Sequence, residues 1–210
     1  MLFNIFLALA FASHIRCWLS DAGKTPKIEV DEQNPNLCNV CEQSKPKRSH
    51  HCSVCKVCVH RLDHHCVWVN NCVGALNQKF FILFLFYTAL SSALSLVIIA
   101  LTLFNAYGLK FKRIDVVGIF AVVFVLMESI LFLFFTGDFL MEQLESVREN
   151  QTCVESYQFK RGVCQDPVKN FEDVFGKTFW LWLFPVKPDI SVDFLEDIIL
   201  EKQPNKEKKS

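Results

Sequence analysis

Between Cys38 and Cys72 the chain reads CNVCEQSKPKRSHHCSVCKVCVHRLDHHCVWVNNC, which holds seven of its ten cysteines and five of its six histidines. Two Cys-x-x-Cys steps, Cys38/Cys41 and Cys52/Cys55, are followed at once by a third, Cys55/Cys58. A turn between cysteines three apart lets both sulfurs reach one tetrahedral ion, the usual arrangement around zinc. Apolar residues in the stretch are few and scattered, so metal binding is the expected source of its folding energy, on the order of 10 kcal/mol per structural zinc. Cys38, Cys41, Cys52, Cys55, Cys58 and Cys72 offer six thiolates, and two histidines complete eight donors for two closed sites. Counting does not decide which donors share an ion. Cys66 is left over, in Asp63-His64-His65-Cys66. A spare thiol beside an imidazole and a carboxylate is a candidate nucleophile. The competing reading is a spare ligand or a buried thiol, since thiols near zinc are common in purely structural modules.

Cys38-x2-Cys41-x9-His51-Cys52-x2-Cys55-x2-Cys58-x4-Asp63-His64-His65-Cys66-x5-Cys72-x4-Asn77-x3-Phe81 resembles the cysteine-rich domain of the DHHC protein S-acyltransferases (palmitoyltransferases), without insertion or deletion. The resemblance implies that Cys66 is the nucleophile, His64 its base and Asp63 the group that orients His64. It assigns His65 with Cys52, Cys55 and Cys72 to one structural zinc, and Cys38, Cys41, His51 and Cys58 to the other. It implies an enzyme that moves a palmitoyl group from fatty acyl-CoA, through S-acyl-Cys66, to cysteines of substrate proteins near the membrane. Each step exchanges one thioester for another, so positioning and proton transfer carry the catalysis. A free thiol titrates near pH 8.5, and nearby His64 and zinc both favour the thiolate. The alternative from another class is a non-catalytic, membrane-anchored zinc-binding adaptor, or a truncated inactive form. The ligand spacing is wrong for a RING-type ligase.

The elements that must hold this stretch are hydrophobic. The chain is 51% hydrophobic with 21 Phe, and its net charge is zero, so nothing points to nucleic acid. Glycine and proline are sparse, and no low-complexity tract or internal repeat stands out. Residues 80–104 contain no charge and are long enough to cross a bilayer with some tilt. Residues 116–136 form a second expected span, with the ionisable Glu128 near its middle. Residues 1–19 read as a partial span, shorter than the roughly 20 residues a bilayer needs. The following Asp21-Ala22-Gly23 resembles the family's Asp-Pro-Gly motif after its second span, with Ala22 in place of proline; that register implies that the first span is lacking. The expected fold is an α-helical integral membrane protein with a small cytosolic, cysteine-rich, double zinc-binding domain (38–79) between spans. A linker (20–37) precedes that domain, a luminal loop (105–115) joins the strong spans, and a cytosolic region (137–210) ends the chain.

Charge sets the expected orientation. Eight lysines and arginines lie between the first apolar run and Phe80, ten follow Gly137, and three lie in the loop between the strong spans. Positive residues favour the cytosol. A signal-peptide reading of the N-terminus would reverse this bias and expose ten cysteines to an oxidising compartment. Lys45, Lys47, Arg48, Lys56 and Arg61 are candidates for coenzyme A phosphates or the anionic leaflet, with a solvated face as the plain alternative. The small residues Ala89, Ser91, Ser92, Ala93 and Ser95 suit close helix packing or an acyl-chain cavity. Apolar spacing makes 138–159 a juxtamembrane helix. Within it Thr152-Cys153-Val154-Glu155 resembles the family's Thr-Thr-x-Glu motif, departing at Cys153. Asn170-Phe171-x3-Phe175-Gly176 resembles its C-terminal motif. Trp180 and Trp182 suit a membrane interface or local packing. Ser191–Leu200 reads as a short amphipathic turn or helix. Lys206-Glu207-Lys208-Lys209-Ser210 resembles a retrieval signal of early secretory membranes, which implies the endoplasmic reticulum or Golgi. The expected partners are membrane lipids, fatty acyl-CoA and substrate proteins.

Overall fold

The structure is a computed structural model that describes residues 1–27, 29–30, 36–108, 116–163 and 166–189. The loop lysines and arginine at 110–113, the stretch 191–200 and the C-terminal lysines lie outside the described residues. Among the described residues three helices are long and apolar enough to cross a membrane: α1 (Leu2–Leu19), α2 (Gln78–Gly108) and α3 (Val116–Arg148). At 1.5 Å per residue α3 is about 50 Å long, well beyond the roughly 30 Å of hydrocarbon, so about a dozen of its residues extend past the hydrocarbon core. The helix does not break at Gly137; the stretch expected as a separate juxtamembrane helix continues α3 to Arg148. A turn then leads to the short α4 (Cys153–Tyr157), followed by α5 (Pro167–Phe175) and a single 3-10 turn at Phe179–Leu181.

Between α1 and α2 lie three antiparallel hairpins: β1 (Leu37–Cys38) with β2 (Gln43–Ser44), β3 (Ser49–Cys52) with β4 (Val57–His60), and β5 (His64–Cys66) with β6 (Asn71–Val73). They recur every fourteen residues. Cys38, Cys52 and Cys66 open the three tips, and Glu42, Lys56 and Asn70 follow four residues later with positive φ of 51°, 58° and 47°. Ser49-His50-His51-Cys52 in the second hairpin returns as Asp63-His64-His65-Cys66 in the third. No such repeat stands out in the sequence alone. The period is short, and the motif residues that vary across it, such as Cys55 against Val69, conceal it.

The hairpins are fastened to the helices by a few polar side chains. Asn71 Nδ2 lies 3.0, 3.1 and 2.8 Å from the carbonyls of Cys17, Trp18 and Ser20, answering the orphan acceptors at the end of α1. Asn77 accepts from Gly74 N and donates to Cys72 O at 2.8 Å, just before α2. The segment expected as a linker is partly structural. Ala22 is fully buried, Gly23 O accepts from His60 N, and Lys24 bridges to Val59. Gly23 has φ 102°, and Asp21 Oδ1 accepts from the amides of Gly23 and Lys24, so the turn needs this glycine. Gly74 permits the same junction: a Cβ there would sit 2.5 Å from Ala22 O and 2.8 Å from Val59 Cγ1.

One apolar core joins α1, α2, α3 and α5 through Ala10, Leu83, Tyr87, Val147, Val174 and Phe175. Lys79, buried at the start of α2, donates to the carbonyls of Leu181 (2.9 Å) and Phe175 (3.4 Å), and Tyr87 donates to Leu183 O. Asn170 of α5 donates to Arg148 O at the end of α3. The two tryptophans divide the alternatives posed by the sequence. Trp182 packs on Phe171 and Phe175 and donates to Gly176 O, whereas Trp180 is exposed. Glu128 is exposed on α3.

Candidate active site

The tips of the first two hairpins each meet the stem of the next. Cys38 and Cys41 at the first tip approach His51 and Cys58, which face each other across β3 and β4. Cys52 and Cys55 at the second tip approach His65 and Cys72, which face each other across β5 and β6. Within each group the four donor atoms lie within 4.8 Å of one another. Cys41 Sγ is 3.2 Å from His51 Nδ1 and 3.8 Å from Cys58 Sγ; Cys55 Sγ is 3.3 Å from His65 Nδ1 and 3.5 Å from Cys72 Sγ. A tetrahedron with zinc–sulfur bonds of about 2.3 Å has edges of about 3.8 Å, so three sulfurs and one imidazole at these spacings fit that ion. Counting alone left open which donors share an ion; in space the eight candidate donors fall into these two groups of four.

Among the described residues these two groups leave Cys66 outside. It opens the third tip, and Val69 stands where Cys41 and Cys55 stand in the other two. Cys66 is buried in a small cluster with Cys17, Val69, Val73, Phe80, Phe81 and Leu85, so it lies where the hairpin meets the roots of α1 and α2. His64 projects from the same strand, with Nδ1 2.8 Å from Asp63 Oδ2 and its ring edge-on to Phe81. Two residues on along β5, the Cys66 thiol interacts with this imidazole, and each favours the charged form of the other.

Asp63 is buried and fully engaged. Oδ2 also accepts from Gln143 Nε2 of α3 at 2.8 Å, and Oδ1 accepts from the Cys153 amide of α4 at 2.8 Å. Burial raises the Asp63 carboxyl, but the bonds from His64, Cys153 and Gln143 outweigh it and leave it below the ordinary range. Burial lowers the His64 imidazole; the bonds to Asp63 and Cys66 outweigh that and lift it to about 9. Burial raises the Cys66 thiol, yet the hydrogen bond with His64 and the amides of Val69 and Trp68 bring it below its usual value. The arrangement favours a thiolate–imidazolium pair beside a fixed carboxylate.

The family model for the DHHC palmitoyltransferase domain matches residues 31–160. The palmitoyltransferase ZDHHC3 of Rattus norvegicus is 34% identical over 203 residues, covering 88% of this chain and 68% of that one. ZDHHC7 of Mus musculus matches at 34% over 88% of this chain and 66% of its own length. A probable protein S-acyltransferase 14 of Arabidopsis thaliana matches at 34% over 217 residues, 88% of this chain and 70% of its own. The chain belongs to the DHHC palmitoyltransferase family. It is an α-helical membrane acyltransferase, and its activity is palmitoyl transfer to protein cysteines.

The acyltransferase brings α4 to the site through an anchor that residue types alone did not reveal. Thr152 caps α4 with a full capping box, accepting from Glu155 N while Glu155 Oε2 accepts from Thr152 N. The same buried Glu155 takes a two-toothed bond from Arg48, at 2.7 Å to each oxygen, and Arg48 also reaches Asn150 Oδ1 and O. Arg48 is therefore committed to the fold, and Arg61 is buried, so two of the five cations considered for coenzyme A are turned inward. The departure at Cys153 does not disturb the contact with Asp63, because the donor is the backbone amide. Gln143 also went unread. It lies three residues after Leu140 and four before Val147, on the apolar face of the helix, and a buried amide on such a face was the available signal.

Proposed function

We propose that Cys66 is the acyl-carrying nucleophile of this acyltransferase, with His64 as its base and Asp63 as the group that orients His64. The observation that carries the reading is the contact chain from Asp63 through His64 to Cys66, beside a thiol that neither metal-binding group uses. The Cys66 sulfur attacks the carbonyl carbon of a fatty acyl-CoA; the new S–C bond forms as the bond to the coenzyme A sulfur breaks. The His64 proton goes to the departing thiolate. A substrate thiol then loses its proton to His64, its sulfur attacks the Cys66 thioester, and Cys66 leaves as the thiolate. Asp63 keeps Nδ1 of His64 protonated and steadies the cation through both steps.

Cys38, Cys41, His51 and Cys58 would hold one zinc ion, and Cys52, Cys55, His65 and Cys72 a second. With four protein donors each, the ions supply folding energy and a positive field rather than activated water. The basic residues flanking the spans support a cytosolic hairpin domain and C-terminal region. Cys66 lies at the roots of α1 and α2, which supports leaving the fatty chain at bilayer level and coenzyme A in water, with membrane-proximal cysteines of proteins as acceptors. The lysines near the C-terminus support residence in the endoplasmic reticulum or Golgi. The test is hydroxylamine-sensitive labelling of the purified chain by a fatty acyl-CoA analogue. Cys66→Ser should abolish it; labelling that persists in that variant would instead favour a membrane-anchored zinc-binding adaptor with adventitious acylation.

A further inference from the structure

The proposed triad has a fourth and a fifth member. Asp63, once ionised, can only accept hydrogen bonds, so the Gln143 atom 2.8 Å from its Oδ2 must be the amide nitrogen. That leaves Gln143 Oε1 facing away, where Gln78 Nε2 donates to it at 3.2 Å. Gln78 thus fixes which way the Gln143 amide points, and Gln143 fixes Asp63. All three side chains are buried, with relative exposures of 3% for Gln78, 7% for Gln143 and 2% for Asp63. An amide flipped in such a place would set its oxygen against a carboxylate and leave two donors facing each other, a costly arrangement away from water.

The two glutamines come from different membrane helices. Gln78 is the first residue of α2, and Gln143 lies near the end of α3 that stands outside the hydrocarbon. The hairpin domain supplies His64 and Cys66. Asp63 Oδ2 is therefore shared by a donor of the hairpin domain, His64 Nδ1, and a donor of the helix bundle, Gln143 Nε2. We propose that Gln143, oriented by Gln78, is a positioning residue that locks the Asp63–His64 pair to the packed ends of α2 and α3, so that Cys66 meets its base at the level where these helices leave the membrane. Neither glutamine touches the acyl donor; both act through Asp63. The inference rests on the reading of Cys66 as nucleophile.

The test uses the full-length chain in detergent or nanodiscs and follows acyl-enzyme formation from palmitoyl-CoA in single turnovers, with zinc content and thermal unfolding measured on the same samples. Gln143→Met keeps the length of the side chain and removes the donor. It should slow acylation at saturating palmitoyl-CoA about tenfold or more, with half-saturation within about twofold and both zinc ions retained. Gln143→Glu keeps the shape and places a second carboxylate against Asp63, so it should be slower still. Gln143→Asn, a shorter amide that can still donate, should recover part of the loss. Gln78→Met leaves the Gln143 donor in place and frees its amide to rotate, with an expected loss of about threefold.

Acylation at the wild-type rate in Gln143→Met overturns the inference. So does a loss in every variant that tracks lost zinc or lowered melting, since that is a structural role alone. If Gln143→Met fails to fold, a wild-type rate in Gln78→Met overturns it instead. Labelling of Cys66→Ser at the wild-type level would sink the nucleophile reading, whatever the glutamine variants do.

Discussion

Ser49-His50-His51-Cys52 and Asp63-His64-His65-Cys66 occupy equivalent places in successive hairpins, yet only one of the two cysteines is left outside a metal-binding group. In both, the second histidine points to a group of four donors, His51 to the first and His65 to the second. In both, the amides two and three residues onward favour the cysteine thiolate: Val54 and Cys55 for Cys52, Trp68 and Val69 for Cys66. The third tip thus repeats the turn of the other two, with surroundings that lower its thiol below the usual value. Two substitutions separate the fates. Val69 in place of Cys55 removes the second sulfur, and α2, not another hairpin with a histidine and a cysteine, follows β6. Asp63 in place of Ser49 turns the first histidine from neutral to basic. His50 is kept low by burial and by the neighbouring Lys45, while His64 is raised to about 9. The comparison suggests that a catalytic thiol can arise from a metal-ligand fold by losing its co-ligand and gaining a carboxylate.

The sharpest way to break this comparison is to make the same change in both hairpins. Cys52→Ser removes a proposed zinc ligand, and a structural zinc in such a module is worth on the order of 10 kcal/mol. It should lose a metal ion, and with it the hairpin fold and all acylation, read by metal analysis and circular dichroism. Cys66→Ser should keep two zinc ions per chain and the wild-type melting temperature, losing acylation alone. Metal loss in Cys66→Ser, or two ions retained in Cys52→Ser, would mean that the hairpins do not divide their labour this way.

The next effect concerns how the third hairpin is held to the bundle. Arg48→Met leaves the Glu155 carboxylate buried without its cation, which should cost about 3 kcal/mol, seen as a lower melting temperature. The sign of its pH dependence follows from Glu155. Burial raises this carboxyl, but Arg48 and the Thr152 amide hold it below its ordinary value. Its contribution is therefore present above the unfolded carboxylate range and is lost as pH falls through the lowered folded value. The melting difference between wild type and Arg48→Met should shrink over that acidic window, whereas an unchanged difference would show that Arg48 acts by packing alone.

A smaller effect separates the backbone of Cys153 from its side chain. Cys153 is the first residue of α4, the one helical position where proline fits, and Thr152 before it is already extended. Cys153→Pro therefore keeps the helix while removing the amide that meets Asp63 Oδ1. It should slow acyl-enzyme formation by about five- to tenfold with little change in melting, while Cys153→Ser, which retains the amide, should lose far less. Equal losses in the two variants would assign the effect to the thiol.

Much of this was legible before any fold was seen, and the reason is chemical. The candidate zinc donors, and the thiol and imidazole proposed as nucleophile and base, are few in type and fixed in spacing, and all lie within one 35-residue stretch from Cys38 to Cys72. Long charge-free runs likewise announce α2 and α3. The supporting contacts did not announce themselves, because their partners are far apart in sequence and made of ordinary residues. Arg48 meets Glu155 across 107 positions, and Gln143 meets Asp63 across 80. Arg48 looks like any solvated cation until Glu155 is seen to be buried. The role of Cys153 was hidden for another reason: its contact uses the one atom group that all residues but proline share. Asn71 could have been suspected only from the open carbonyls at the end of α1, whose partner no local rule identifies.

The subtlest difference between the hairpins is electrostatic, and pH reads it directly. Alkylation by iodoacetamide measures the thiolate, so its rate rises as pH climbs through the pKa of the reacting cysteine. In a chain whose other described cysteines are tied to zinc or replaced, the Cys66 midpoint should fall below the ordinary value of about 8.5, because the His64 cation and the Trp68 and Val69 amides outweigh burial. The imidazolium keeps its proton up to about pH 9, so the pair persists from the lowered thiol value to that point. His64→Ala removes the cation and leaves burial, which acts in the opposite direction. Its midpoint should move up, above the wild-type value, even with both zinc ions in place. His50→Ala, the same change one hairpin earlier, should leave the Cys66 midpoint where it was. A midpoint that ignores both substitutions would show that the tip amides alone hold the thiolate, and that Asp63 and His64 serve the proton transfer without setting the charge of the sulfur.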